Sequence, residues 1–347
     1  MLDDPDMSRR TSTVTCTARL HLGFFDLEGG LGRRFGSIGL SLDQPVTRLV
    51  VRRSDVTRVR GPEQARVARY LAQMCSHLGL TGQHDVTIEQ AMPPHAGLGS
   101  GTQLALAVAA AVRRLHGRAG DPQGGVRGGV RGDIRGDPQG HIRGDLRGDA
   151  AVLGRGARSG IGIGLFGQGG LVIDGGKGRL AEPPPLLARA AMPEAWRVLL
   201  VMDRNSEGLS GLRERAAFDS LGPMDAAVSG AICRLVLMQA LPALAEQDLG
   251  GFGSAITAIQ AHVGDYFAPS QGGRFTSPDV GAALRLLAEA GATGIGQSSW
   301  GPTGFAFAAD EREARRFAGA LEAGGVMKHL DLLICRVLNR GASVDVT

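Results

Sequence analysis

The run LALAVAAAV, Leu104–Val112, is apolar on every helical face. A helix with no polar side has nothing to offer water, so it has to lie inside the molecule. Immediately before it stands PPHAGLGSGTQ, Pro93–Gln103. Glycines let a backbone approach a ligand closely, and the first turn of the following helix presents unpaired N–H groups and the positive end of its dipole. The sequence therefore predicts an anion-binding loop over Gly97, Leu98, Gly99, Ser100, Gly101 and Thr102, held rigid by the buried helix behind it. The competing reading is an ordinary strand-to-helix turn.

Composition narrows the anion. The 347 residues are 43% apolar, enough for one large or two medium globular domains. Lysine occurs only at Lys177 and Lys328, neither closing a glycine-rich loop, which excludes a Walker A site. A net charge of +4 with 4% aromatic residues argues against a nucleic-acid partner. Cys16, Cys75, Cys233 and Cys335 show no paired spacing, so neither a disulfide framework nor a zinc site is expected, and the thiols are read as reduced and mostly buried. No run approaches the ~20 apolar residues of a membrane span. The polar start MLDDPDMSRRTSTV lacks the apolar core of a secretory signal. No membrane partner and a cytoplasmic location are the expectation.

Residues 118–150 change character. DPQGGVRGGVRGD returns sixteen residues later as DPQGHIRGDLRGD, with nine of thirteen positions matching. Isolated Val, Ile and Leu among glycines cannot offset an ordering entropy of ~1 to 2 kcal/mol per residue, so a disordered surface insertion is expected. Five Arg and five Asp between Asp121 and Asp149 leave no net charge for phosphates. The four Arg-Gly-Asp triplets would need secretion to act in adhesion. Deleting Asp121–Asp149 is expected to spare activity.

Alternation predicts strands at Thr13–Leu20, Thr47–Arg53, His84–Glu89, Gly169–Asp174, Trp196–Met202, Gly304–Ala308 and Asp331–Arg336. Helical spacing predicts Glu63–His77, Thr102–His116, Leu212–Ser220, Asp225–Leu241, Gly253–Tyr266, Ala282–Ala290 and Glu311–Glu322. The run Pro183–Pro185 marks a boundary, giving two α+β domains, 1–185 and 186–347.

Two further glycine loops stand out. GRGARSGIGIG, 154–164, carries Arg155, Arg158 and Ser159; GIGQSSWGPTG, 294–304, carries Gln297, Ser298, Ser299 and Trp300. Trp300 either stacks on a planar substrate or packs in the core. The segment Ala18–Asp43 sets His21, Asp26, Glu28, Arg33 and Arg34 among glycines between two strands, which reads as a site rim.

In order, these segments resemble the superfamily of galactokinase, homoserine kinase, mevalonate kinase and phosphomevalonate kinase, whose phosphate loop PPHAGLGSGTQ is similar to. That resemblance implies a two-domain α+β fold. The kinases commonly carry Ser-Gly-Ile-Asp in the second loop, the aspartate acting as base; here Ser159, Gly160 and Ile161 are followed by Gly162, and Gly101 replaces the second serine of the phosphate loop.

One non-kinase branch departs in the same way. Ala18–Gly23 with Phe25-Asp26-Leu27, Gly32-Arg33, Ile38-Gly39-Leu40, Ser159–Gly162, Gly208-Leu209-Ser210-Gly211 and Gly296–Pro302 closely resemble the β-ribofuranosylaminobenzene (hydroxybenzene) 5′-phosphate synthases of methanopterin biosynthesis. The resemblance implies a phosphoribosyltransferase joining 5-phosphoribosyl 1-diphosphate to 4-aminobenzoate or 4-hydroxybenzoate with loss of carbon dioxide and pyrophosphate. It implies Asp26 and Arg33 as catalytic groups. The phosphate loop, Arg19, His21, Arg158, Ser159, Gln297, Ser298, Ser299 and Trp300 are then substrate contacts. It also implies Mg2+ carried by the diphosphate, no dedicated metal site, no ATP and a homodimer.

Overall fold

The computed structural model describes residues 10–118, 145–209 and 211–347. The first part of the chain runs β1 (Thr11–Asp26), β2 (Phe35–Ser54), β3 (Arg58–Arg60), α1 (Gln64–Leu78), β4 (Gln83–Gln90), α2 (Ser100–Leu115), α3 (Leu146–Val152), α4 (Ile161–Gln168), β5 (Leu171–Asp174) and β6 (Leu186–Ala190). It continues through β7 (Arg197–Asp203), α5 (Gly211–Ser220), α6 (Ala226–Leu235), a π turn (Val236–Ala240), α7 (Leu241–Ala245), α8 (Leu249–Gln271), α9 (Pro278–Glu289), β8 (Thr293–Gln297), β9 (Gly304–Ala308), α10 (Glu311–Ala323), β10 (Leu330–Arg336) and β11 (Ser343–Val346).

A seven-stranded sheet follows the order β11-β1-β2-β4-β3, with β5 on β2 and β6 on β5; a four-stranded sheet follows β10-β7-β9-β8. The 20-residue β2 ties the first sheet together, pairing β5 through Ser37–Leu40 and β4 through Arg48–Ser54. The boundary expected at 185 does not separate the sheets. Pro183–Pro185 lie in the turn between β5 and β6, and β6 and β11, both beyond 185, hydrogen-bond into the first sheet.

Burial follows strand parity. On β7, Val198 and Leu200 join the main core, whereas Leu199 and Val201 face a second cluster with α9 and α10. α2 is buried from Gln103 to Val112, as its all-round apolar surface requires, and packs on β1, β2, α1, α3 and α4. Cys16 and Cys335 are buried and Cys75 and Cys233 half-buried, all free.

Three expectations change. Most of Ala18–Asp43 is strand rather than loop, because β1 runs on to Asp26 and β2 starts at Phe35, leaving only a short hairpin tip. Residues 119–144 of the repeat lie outside the described residues, but its end is folded: Asp145 caps α3 by accepting from Gly148 N, and buried Asp149 takes two 2.6 Å hydrogen bonds from Arg113. The isolated apolar residues could not build this alone; a charge pair with α2 does. Finally, Ala226–Ala245 reaches spanning length, 20 residues of mean hydropathy 1.6. Its α6 portion packs on β1 and α8 with Ile232 in the core, and Val236, Ala240 and Leu244 of the π turn and α7 are buried as well.

Candidate active site around the phosphate loop

The loop before α2 is bent through left-handed backbone at His95, Gly97 and Gly99. Glycine is required where neighbours approach most closely: a Cβ at Gly97 would lie 2.3 Å from the Ser298 carbonyl oxygen, and one at Gly99 2.4 Å from Arg19 Cγ. No side chain caps Gly99 and no acidic residue stands in the first turn of α2; the Thr102 and Gln103 N–H groups turn back on Gly99 O at 3.1 Å, leaving those of Ser100 and Gly101 as donors.

Three elements hold the loop by its carbonyls. Where the β1–β2 ladder shifts register between Thr17 and Arg19, the Arg19 N–H donates to Leu98 O at 3.1 Å. Ser298 Oγ donates to Gly97 O at 2.8 Å and accepts from His21 N at 3.0 Å; Thr303 Oγ1 donates to Ala96 O at 2.7 Å. Gly208 N donates to His95 O at 3.0 Å. The third glycine loop is thus a buttress. Gln297 and Ser298 are buried and fully engaged, Gln297 accepting from Thr276 N at 2.7 Å while its backbone N–H donates to Gln260 at 2.8 Å. Ser299, half-buried, lines a small cleft with His21, Phe24, Phe267 and Gln271.

Trp300 is a core residue, not a substrate platform. It is 2% exposed, 4.1 Å from the Phe267 ring and 5.2 Å from that of Phe218. The aromatic cluster below the site claims its face, at roughly 0.5–1.5 kcal/mol per ring pair beyond burial.

Unpaired buried donors gather around the loop. Among the described residues, Arg19 Nε and Nη1, Arg155 Nε and, in the adjoining cleft, His21 Nε2 find no hydrogen-bond partner. Native interiors leave few such groups, and the two arginines lie against Gly99 and Gly101 of the loop, which marks a place for an acceptor there. Burial pulls Arg19 down to about 10, opposed by Glu214 and Asp174, so it stays cationic at neutral pH. Burial, then Arg19, drives His21 well below its ordinary value and keeps it neutral.

The second glycine loop is ordered by Asp174, at the end of β5. This carboxylate accepts from Ser37 Oγ at 2.5 Å, Ser159 Oγ at 3.0 Å, Gly160 N at 2.8 Å and Gly176 N at 2.8 Å. Burial nevertheless pushes its pKa up. Ser159 therefore faces Asp174 and Ser37 rather than solvent. Arg158 pairs with Glu214 at 2.7 Å and lies 4.8 Å over Phe218. Gly162 abuts the phosphate loop: a Cβ there would stand 3.1 Å from Thr102 Cγ2, and Gln103 Nε2 holds its carbonyl at 2.9 Å. A side chain at position 162 would press on this threonine methyl.

Asp26 and Arg33 sit at the β1–β2 hairpin and bond mainly to backbone, Asp26 Oδ1 also accepting from Ser229 Oγ at 3.4 Å. Asp26 accepts from Glu28 N at 2.8 Å and Gly29 N at 2.9 Å; exposed Arg33 donates to Gly175 O at 2.6 Å and Gly176 O at 2.7 Å. Both are thus engaged in building the hairpin and tying it to the turn after β5. Sequence reasoning missed Asp174, Ser37, Tyr70 and Thr303. Only Asp174 carried a signal, as the polar end of the apolar strand LVID before Gly-Gly. Ser210 of the GLSG motif lies outside the described residues.

Comparison with known proteins agrees with this frame. Residues 65–127 match the GHMP kinases N terminal domain and residues 240–326 the GHMP kinases C terminal family. A homoserine kinase from Cytophaga hutchinsonii superposes with a TM-score of 0.63 at 16% identity, covering 99% of this chain and 100% of that one. Mevalonate diphosphate decarboxylase from Staphylococcus aureus gives 0.63 at 14% identity, covering 97% and 98%. In sequence, the beta-ribofuranosylphenol 5'-phosphate synthase of Methanothermobacter thermautotrophicus is 27% identical over 351 residues, 95% of this chain and 97% of its own. The protein of the same name from Archaeoglobus fulgidus is 31% identical over 257 residues, 70% and 73% of the two chains. With the phosphate loop kept and the second-loop aspartate absent, the chain belongs to the beta-ribofuranosylphenol 5'-phosphate synthase family, built on the GHMP kinase fold.

Proposed function

We propose that the chain is an enzyme that condenses 5-phosphoribosyl 1-diphosphate with 4-hydroxybenzoate, releasing carbon dioxide and pyrophosphate and leaving a C-riboside 5′-phosphate for methanopterin biosynthesis. The observation that carries this reading is that Gly162, which cannot take a proton, stands tightly against Thr102 of the anion cradle where the resemblance places the base of phosphoryl transfer in related kinases. The relatives' names specify a phenol, which favours the hydroxy acid over 4-aminobenzoate.

The chemistry asks little of a protein nucleophile. The ring carbon bearing the carboxylate forms a bond to the anomeric carbon as the C–O bond to pyrophosphate breaks; the electron pair of the C–CO2 bond then restores aromaticity. The main demand is electrostatic, on the departing diphosphate, and losing one preorganised donor in such a site costs ~100- to 1,000-fold in rate. In this reading the N–H groups opening α2 and the Arg19 guanidinium receive the diphosphate. Ser298 and Thr303 hold the loop, and Asp174 fixes the adjoining Ser159 turn. Among the described residues no cluster of three His, Cys, Asp or Glu side chains stands ready for a metal. We assign magnesium to the diphosphate oxygens as part of the substrate.

Incubation with phosphoribosyl diphosphate, Mg2+ and each benzoate, followed by mass analysis, tests the proposal. A C-riboside phosphate from 4-hydroxybenzoate is expected; no such product from either acid overturns it.

A further inference from the structure

Arg155 reaches the phosphate loop at a different glycine from Arg19. A Cβ at Gly99 would meet Arg19 Cγ at 2.4 Å, and one at Gly101 would meet Arg155 Nη1 at 3.3 Å. Two residues are less than one helical turn, so both guanidiniums address the same N-terminus. Position 101 is glycine where kinases of this fold carry the second serine of the loop, and the Arg155 guanidinium fills the space beside it.

The side chain is fixed on its far side. Its Nη2 donates to the hydroxyl of buried Tyr70, and its guanidinium carbon lies 5.3 Å from the centre of that ring. Its backbone N–H donates to Ala150 O at 2.6 Å, which anchors the turn leaving α3. Nε is buried without a partner, and among the described residues no carboxylate forms an ion pair with the group. Its charged neighbours are Arg66 and Arg69 of α1; with burial they pull Arg155 down to about 10, and Arg66 is itself matched by Glu63 at 2.8 Å. A half-buried cation set beside two others, with its Nε out of water and unpartnered, is unfavourable unless an anion completes it.

We propose that Arg155, oriented by Tyr70, is the second cation of a two-sided clamp, and that Arg19 and Arg155 hold the two phosphoryl groups of a diphosphate across the N-terminus of α2. The inference rests on the reading of the ligand as phosphoribosyl diphosphate and adds the residue that tells a diphosphate from a single phosphate. Arginine suits the task because its planar fork offers paired donors to phosphoryl oxygens.

Binding of inorganic pyrophosphate and orthophosphate with Mg2+ to the full chain, followed calorimetrically, tests it without turnover. Arg155→Met is expected to weaken pyrophosphate about 10- to 100-fold, as for loss of charge-assisted hydrogen bonds, while orthophosphate changes less than about threefold. Arg155→Lys is expected to recover part of the pyrophosphate affinity. If Arg155→Met fails to fold, Arg155→Gln is read instead. Unchanged pyrophosphate affinity in a folded variant, an equal loss of both ligands, or no pyrophosphate binding by the wild type overturns the clamp. C-riboside formation is scored separately: a wild type that binds pyrophosphate through Arg155 yet makes no C-riboside refutes the synthase reading and leaves the clamp standing.

Discussion

Ser298 joins the two halves of the site through one hydroxyl, donating to Gly97 O at 2.8 Å while accepting from His21 N at 3.0 Å. The phosphate loop is therefore fixed to β1 by a residue 201 positions from Gly97. Ser298→Ala leaves a buried N–H and a buried carbonyl without that partner, each costing about 1–3 kcal/mol. The variant is expected to lose several degrees in Tm and to show a raised KM for the diphosphate substrate. Unchanged KM with lowered Tm would make Ser298 structural only.

Restoring the lost carboxylate does not restore a kinase. Gly162→Asp drives a side chain toward Thr102 Cγ2, where even a Cβ would sit at 3.1 Å. Overpacking of this kind costs about 1–3 kcal/mol. The expected result is lower Tm, weaker synthase activity and no ATP-dependent phosphoryl transfer above background; ATP turnover by Gly162→Asp would contradict the account.

The end of the repeat is part of the fold. Asp149 is 1% exposed and receives Arg113 through two hydrogen bonds of 2.6 Å. Removing one partner of a buried pair typically costs about 3–5 kcal/mol, so Asp149→Ala is expected to lower Tm markedly. A deletion of 121–149 carries that cost, whereas one ending at 144 keeps the pair. Equal Tm for the two deletions would refute the distinction.

Arg33 donates to the carbonyls of Gly175 and Gly176 from an exposed position. Arg33→Ala is expected to loosen the hairpin, lowering Tm by a few degrees with kcat within about threefold of wild type, the scale of one lost hydrogen-bond pair. A collapse of kcat at unchanged Tm would return Arg33 to the chemistry.

A histidine relay away from the site sets an acid limit. Arg53 Nη2 meets His116 Nδ1 at 3.3 Å, His116 Nε2 meets His84 Nε2 at 2.8 Å, and His84 Nδ1 meets Cys75 Sγ at 3.7 Å. Arginine only donates, so His116 accepts at Nδ1 and both rings are neutral with assigned tautomers. Burial and Arg53 lower His84; burial, Arg53, His84 and Arg118 lower His116 to about 4. Depressed histidines give stability that is full above the unfolded value near 6.5 and fades as pH falls toward the folded one. Allowing for screening of half-exposed His116, about 1 kcal/mol is expected to go between pH 7 and pH 5, read as a Tm drop that His116→Gln flattens. A flat Tm profile in the wild type would contradict the relay.

Local pattern made much of this architecture legible. The all-apolar face of Leu104–Val112 told that α2 is buried, and the glycines before it told where an anion would enter, because both are properties of contiguous residues. Strand alternation located β1, β2 and β4 but understated β1 and β2, whose glycine-rich ends are paired to each other and to β5. The buttress could not be read. Ser298 and Thr303 matter through carbonyls of residues 96 and 97, and Asp174 through hydroxyls at 37 and 159, contacts that exist only after the sheet forms. Trp300 was ambiguous for the same reason: only packing tells a core indole from a platform.

The central claim is that this fold transfers a ribosyl group where related folds transfer phosphoryl. Carboxyl-labelled 4-hydroxybenzoate incubated with phosphoribosyl diphosphate, with labelled carbon dioxide and pyrophosphate counted together, tests it most directly. The account predicts the two released in equal amounts, matched by a product whose ribose is bonded through carbon and independent of ATP. A phosphate ester formed only with ATP, and no labelled carbon dioxide, would contradict it.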